Sequence, residues 1–398
     1  MTQISTSTMA NQTAFDTRNA ITFTPYRHDL LETTQAIKIM TYTMPYRSGE
    51  LREASALIFY PKTPKPQDGW RIIVWTHGTV GVADACAPSN NPIGENFKKT
   101  TDLLLRAGYL IVAPDYEGLG KPGIHPYLHL QSEAESAIYA VAAIKQAFPD
   151  DIQGEWMVAG QSQGGQASLG TAEYANDDQL FKGAVAGAPA SGLQQIVRDV
   201  APSALSALEK AEINAGITLE ERGAIHAYAT LLAYGAFVGI GIKATHPDFN
   251  YLDLFHERAR PFAQRAAGSN GENGHCLYAV RDAFKADIID FLQNMDQPDI
   301  LQYPGINTAV FHHHPALLSL FRDSEPGTKR LDKPILIIQG EKDRDVPASV
   351  TKKLVENLLE HGSPNITFIL VEDASHTEAI IWERETVFNF IQKQMPEK

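Results

Sequence analysis

The sequence predicts an α/β protein with a mainly parallel central sheet flanked by helices, and with an all-helical insertion ahead of the last strands. Three observations predict this. Short runs that are apolar on both faces alternate with amphipathic stretches at helical spacing. Strands separated by helical stretches form βαβ units, whose strands run parallel in one sheet. From residue 194 to residue 330 the strand pattern stops and only helical patterns continue.

The first strands lie at residues 37–44 and 54–60, on either side of the turn signal Arg47-Ser48-Gly49-Glu50, and give the sheet an antiparallel start. Further strands are predicted at 71–75, 109–113, 155–159, 182–187, 334–339 and 367–371, each apolar enough to be buried between helix layers. Helices fall between them at 96–107, 132–148, 164–175, 348–361 and 377–394. The insertion carries helical patterns at 201–214, 219–243, 252–267 and 282–295. The expected organisation is therefore a core in two parts, residues 1–193 and 331–398, with a cap at 194–330. An insertion at this point stands over the carboxyl ends of the strands, where ligands bind in open α/β sheets.

Composition narrows the function classes. A chain of 398 residues can bury a large core, and 43% hydrophobic with 20% charged residues excludes disordered, collagen-like and coiled-coil classes. A net charge of −13 with no basic run argues against nucleic acid or an anionic membrane as partner, and favours a neutral small molecule. No run of eighteen apolar residues predicts a transmembrane helix. The first fifteen residues show neither a basic nor an apolar region. The compartment expected from the sequence as it stands is thus cytoplasmic, and secreted or periplasmic if a signal peptide has been removed. Cys86 and Cys276 are too few for a disulfide scaffold; one bridge between them would tie the insertion to the core.

The chemistry centres on Gly160-Gln161-Ser162-Gln163-Gly164, which lies between a predicted strand and a helix beginning near Gly165. In a G-x-S-x-G turn of this kind the two glycines admit a strained backbone that projects the serine hydroxyl above the sheet. A serine needs a base to take its proton and an acid to orient that base. Two polar loops follow the last two strands. The first is Gly340-Glu341-Lys342-Asp343-Arg344-Asp345-Val346-Pro347 and the second is Glu372-Asp373-Ala374-Ser375-His376. His376 is assigned as the base, since the preceding histidine, His361, sits in a His-Gly pair that reads as a helix end. Asp343 and Asp345 are the acid candidates, with Glu341 and Asp373 behind them. Acyl transfer also needs donors for an oxyanion, each worth roughly 3–4 kcal/mol. The backbone N–H of Gln163 supplies one, and the other comes from a loop after an earlier strand.

Further motifs carry a family resemblance. Thr76-His77-Gly78-Thr79 follows one strand, and Ala113-Pro114-Asp115-Tyr116-Glu117-Gly118-Leu119-Gly120 with Gly123-Ile124-His125-Pro126-Tyr127 follows the next. Together with Gln163-Gly164-Gly165 and the insertion, they resemble the bacterial and fungal secretory lipases within the α/β-hydrolases, over residues 70–395, with the insertion matched only in kind. The resemblance implies the α/β-hydrolase fold, hydrolysis of carboxylic esters including acylglycerols through an acyl-enzyme on Ser162, and no metal or organic cofactor. It implies Asp343, three residues after Gly340, as the acid. It also implies the Thr79 N–H as the second oxyanion donor, with its hydroxyl offering a further bond and His77 holding the loop. A serine peptidase or amidase, or an acyltransferase, shares the same triad. A binding module without catalysis would ordinarily have lost a triad member.

Other features receive structural readings. Phe311-His312-His313-His314-Pro315 reads as a loop whose adjacent histidines point in different directions, unlike metal ligands. Glu372-Asp373 reads as a solvated pair. The apolar stretch 228–240 has three readings: the wall of an acyl pocket, a mobile lid, or the buried central helix of the insertion.

Overall fold

A computed structural model describes residues 21–396 apart from Asp29, Gln153 and Gln297. The amino-terminal residues on which the signal-peptide reading rests lie outside the described residues. Strands β1 (Thr22–Pro25), β2 (Thr34–Pro45), β3 (Leu51–Pro61), β4 (Ile72–Thr76), β5 (Leu110–Pro114), β6 (Trp156–Gln161), β7 (Phe181–Gly187), β8 (Ile335–Gly340) and β9 (Ile366–Val371) form one sheet. Its order is β1-β2-β3-β5-β4-β6-β7-β8-β9. The first three strands pair antiparallel, as does β3 with β5; from β5 to β9 every pair is parallel. Every residue of β4, β5 and β8 is buried, which is why these strands read as unbroken apolar runs.

Helices cover both faces of the sheet. These are α1 (Glu95–Arg106), α2 (Leu130–Ala147) and α3 (Gln163–Tyr174) before the insertion, and α11 (Ala348–Glu360), α12 (Glu378–Trp382) and α13 (Arg384–Gln394) after it. One apolar layer joins the sheet to α2, α3 and α11 through residues such as Ala140, Leu169 and Leu354. The opposite layer joins it to α1, α12 and α13 through Leu104, Ile380 and Ile391.

Between β7 and β8 the chain is helical: α4 (Leu193–Gln195), α5 (Ala201–Asn214), α6 (Gly223–Ile242), α7 (Arg260–Ala267), α8 (Leu277–Gln293), α9 (Thr308–His313) and α10 (Pro315–Asp323). These helices bury a core of their own around Ala233, Phe237, Phe255 and Phe284, and it reaches Val82, Tyr127 and Ala190 of the sheet loops. By length and composition α6 is apolar enough to cross a membrane, yet 72% of its most apolar window is buried inside the protein. It is the central helix of this segment. A disulfide between Cys86, in the turn after β4, and Cys276, which precedes α8, fastens the segment to the sheet loops.

Three local features differ from the sequence expectation. The stretch 252–267 is a 3-10 turn (Tyr251–Leu254) followed by α7, because a helix running unbroken through Pro261 would lose its N–H bond there and set the ring against the carbonyl four residues back, so the proline falls in the first turn of α7. Residues 311–315 are not a loop. His312 and His313 close α9, and the Nδ1 of His314 accepts from the Ala316 N–H (3.2 Å) to cap α10, which begins at Pro315. Helix α3 begins at Gln163, directly after the nucleophile candidate.

Candidate active site

Ser162 sits between β6 and α3 with φ +63° and ψ −121°, a backbone that few side chains adopt. The surrounding glycines are required by contact. A Cβ on Gly160 would lie 2.1 Å from Thr76 Oγ1, and one on Gly164 would lie 1.9 Å from the Thr76 carbonyl oxygen. Helix α3 therefore rests directly on the end of β4. Thr76 secures that contact by donating its hydroxyl to the Gly164 carbonyl (2.7 Å), with Ser168 Oγ at 2.9 Å.

His376 and Asp343 complete a chain of hydrogen bonds. Ser162 Oγ lies 2.8 Å from His376 Nε2, and His376 Nδ1 lies 2.8 Å from Asp343 Oδ2. A carboxylate only accepts, so Nδ1 carries the imidazole proton and Nε2 is free to accept from the serine hydroxyl. Asp343 is buried and saturated with donors. Its Oδ1 accepts from the Asp345 and Val346 N–H groups (2.9 Å each), and its Oδ2 also accepts from Gln339 Nε2 (2.9 Å). Burial pushes the His376 imidazole down, but the hydrogen bond and charge of Asp343, with the charge of Asp345, outweigh it and leave the group raised. Gln161 Nε2 donates to the His376 carbonyl (2.9 Å), which ties the histidine loop to the elbow.

The other acid candidates are placed elsewhere. Glu341 accepts from the Asp373 N–H (3.3 Å), and Asp373 pairs with Lys342. Asp345 lines the cleft beside Ser162. Asp343, Asp345 and His376 bring ligand atoms within 4.8 Å of one another, with Asp343 and His376 hydrogen-bonded to each other.

Gln163 is the first residue of α3, so its N–H has no acceptor within the helix. The helix dipole adds partial positive charge at this point. Thr79 stands across the cleft from α3, and its hydroxyl is engaged by Tyr127 (Oγ1 to OH, 2.6 Å) rather than left for a ligand. His77 lies between the Gly78 and Asp115 carbonyls (2.7 and 3.3 Å), and burial pushes its imidazole down.

Sequence reasoning missed a buried polar network behind these loops. Glu133, on the inner face of α2, accepts from Gln163 Nε2 (2.8 Å) and the Leu128 N–H (3.0 Å). Glu117 accepts from Ser132 Oγ and the Arg47 N–H, both at 2.5 Å. Asp115 accepts from Ser55 Oγ (2.6 Å) and the Ser89 N–H (2.9 Å). Burial pushes the three carboxyls up, Asp115 to about 6, Glu117 to about 7 and Glu133 to about 8. Burial likewise drives His125, whose Nε2 faces Gln163 Nε2 at 3.2 Å, down to about 3.

Above Ser162 opens a cleft of about 690 Å³, walled by Leu231, Tyr234, Gly235 and Val238 of α6, by Leu193 and Ile196, and by Phe311 and Phe321. Its lining is overwhelmingly apolar, so α6 is both the central helix of the insertion and a wall of the cleft.

Residues 100–228 match the model of the secretory lipase family. The chain has the α/β-hydrolase fold and, over those residues, is similar to the secretory lipases. Among solved structures, it superposes on a hydrolase from Legionella pneumophila with TM-score 0.66 and 20% identity, covering 90% of this chain and 89% of that one. The rice cell wall degrading esterase LipA from Xanthomonas oryzae gives 0.62 and 18%, covering 90% of each chain. Candida antarctica lipase A gives 0.59 and 16%, covering 86% of this chain and 73% of that one. At these identities the structural likeness speaks to the fold alone. No curated protein sequence matches the chain.

Proposed function

We propose that this protein cleaves esters of apolar carboxylic acids through an acyl-enzyme on Ser162. The observation that carries the reading is the Ser162–His376–Asp343 hydrogen-bond chain at the floor of an apolar cleft. Ser162 Oγ attacks the ester carbonyl carbon while its proton passes to His376 Nε2. Asp343 holds the ring and stabilises the imidazolium. The Thr79 and Gln163 N–H groups receive the oxyanion. Collapse expels the alcohol, which takes the proton from His376 and leaves an acyl group on Ser162. Water then attacks the acyl carbon, again giving its proton to His376, and the acid departs with Ser162 restored.

In this reading residues 194–330 form the cap, and its apolar wall receives the acyl chain. The Cys86–Cys276 disulfide and the secretory lipase match favour an extracytoplasmic site of action, since disulfides persist in oxidising compartments. The test is a panel of p-nitrophenyl esters from acetyl to long chain, with aminoacyl anilides beside it and Ser162→Ala as control. Activity on esters that rises beyond acetyl and vanishes in the variant is expected. Preferential anilide cleavage, or turnover retained by Ser162→Ala, would overturn the reading.

A further inference from the structure

We infer that the turn His125-Pro126-Tyr127 is a clamp that positions both oxyanion donors at once, an inference that rests on the reading of Ser162 above. The two donors are backbone amides on separate segments, the loop after β4 and the start of α3. A hydrogen bond weakens steeply with distance and angle, so their spacing has to be fixed by other contacts. The turn reaches both. Tyr127 OH meets Thr79 Oγ1 at 2.6 Å, and His125 Nε2 meets Gln163 Nε2 at 3.2 Å.

The tautomer of His125 follows from its other side. Nδ1 lies 2.9 Å from the Glu117 carbonyl, so Nδ1 carries the proton and Nε2 accepts from Gln163. Gln163 thus uses its side-chain amide on His125 and on Glu133, and with 1% exposure it is turned away from solvent. Its side chain orients the residue; its backbone faces the chemistry. Glu133 closes the arrangement by also accepting from the Leu128 N–H, the residue after the turn. Tyr116 stacks parallel to His125 (ring centroids 5.8 Å, 4°) and donates its hydroxyl to the His77 carbonyl (2.8 Å), two residues before Thr79.

The backbone itself is held under constraint. Leu128 (φ +59°) and Tyr116 (φ +76°) both occupy the left-handed region without being glycine. Such conformations persist where the surroundings over-determine them. Pro126 fixes the middle of the turn. Tyr127, His125 and Glu133 are therefore positioning residues, acting through Thr79 and Gln163.

The test compares Tyr127→Phe, Thr79→Val and the double variant in the full chain, with an acyl trifluoromethyl ketone as the oxyanion-forming inhibitor. Each single change should lower kcat about 10-fold with KM within twofold, a fraction of the loss seen when a whole donor is removed. Inhibition by the ketone should weaken by the same factor, and the double variant should be no worse than either single one. Tyr127→Phe keeps the ring and adds no bulk, so it folds if Tyr127 only packs. Wild-type kcat and ketone affinity in Tyr127→Phe would overturn the clamp, as would a raised KM at unchanged kcat. Failure of the underlying reading is distinct: Ser162→Ala would retain turnover and the ketone would not inhibit the wild-type protein.

Discussion

Gly164→Ala probes the elbow with a single methyl group. A Cβ there would lie 1.9 Å from the Thr76 carbonyl oxygen and 2.6 Å from its carbon, whereas side chains essentially never approach closer than 3.0 Å. The obstructing atoms are backbone of the central strand β4, locked by pairing to β5 and β6, so the helix has to yield. A shift of about 1 Å in α3 carries Ser162 Oγ and the Gln163 N–H with it, and misplacement on that scale costs about 100-fold in turnover. Overpacking of the same junction costs about 1–3 kcal/mol of stability. The assay is kcat/KM on a p-nitrophenyl ester together with urea unfolding of the same sample. Gly94→Ala is the control, because nothing lies within 4 Å of its Cβ and it only precedes α1. That control should lose at most about 1 kcal/mol and no turnover. Wild-type turnover and stability in Gly164→Ala would refute the argument that helix α3 rests directly on β4.

Other consequences are equally measurable. Asp343→Asn presents an NH2 to a site where four donors converge, Asp345 and Val346 on one oxygen and Gln339 and His376 on the other, so two of them are left facing another donor. Turnover should fall about 10³–10⁴-fold with the imidazole misoriented, and Asp345→Asn should fall far less. Burial raises Glu133 from 4.5 to about 8, so the native state holds a proton that the unfolded chain has released. Its contribution to stability is present below about pH 4.5 and lost as pH rises through about 8. Above pH 6.5 unfolded histidines no longer offset this, and the urea midpoint should decline towards pH 8; Glu133→Gln should flatten that slope by up to about 1.4 kcal/mol per pH unit. An unchanged slope in the variant would contradict the buried, protonated carboxyl. Replacing Cys86 and Cys276 by serine frees a closure between residues 190 apart and should cost about 2–4 kcal/mol in urea unfolding. An unchanged midpoint would show that the insertion is held by packing alone.

The parallel strands were legible because burial on both faces writes itself as uninterrupted apolar runs; β4, β5 and β8 differ from their predicted spans by a residue at most at each end. The four-residue edge strand β1 was not, since Thr22, Thr24 and Pro25 are exposed and carry no apolar pattern. Helices α9 and α10 had readable signals, the Asn307 side chain that caps α9 and Pro315 opening α10, but both helices are short and the histidine run between them reads as a loop. Ser162, Asp343 and His376 stand out because each follows a strand end, and the sheet brings strand ends together. The carboxyls behind them were hidden for the opposite reason. Glu133 lies inside a helical stretch where its spacing marks it as no site residue, and only the fold reveals that this position turns inward against Gln163 and Leu128. Spacing along a chain reports which residues share a face, not what that face meets.

If the acyl group passes through Ser162, intact-protein mass spectrometry will find it there during turnover. Wild-type protein quenched in acid during turnover of a p-nitrophenyl ester should gain the mass of one acyl group, lost on further incubation. Peptide mapping should place that group on the peptide containing Ser162, and Ser162→Ala should gain none. Turnover with no covalent adduct, or an adduct on another residue that persists in Ser162→Ala, would contradict the account.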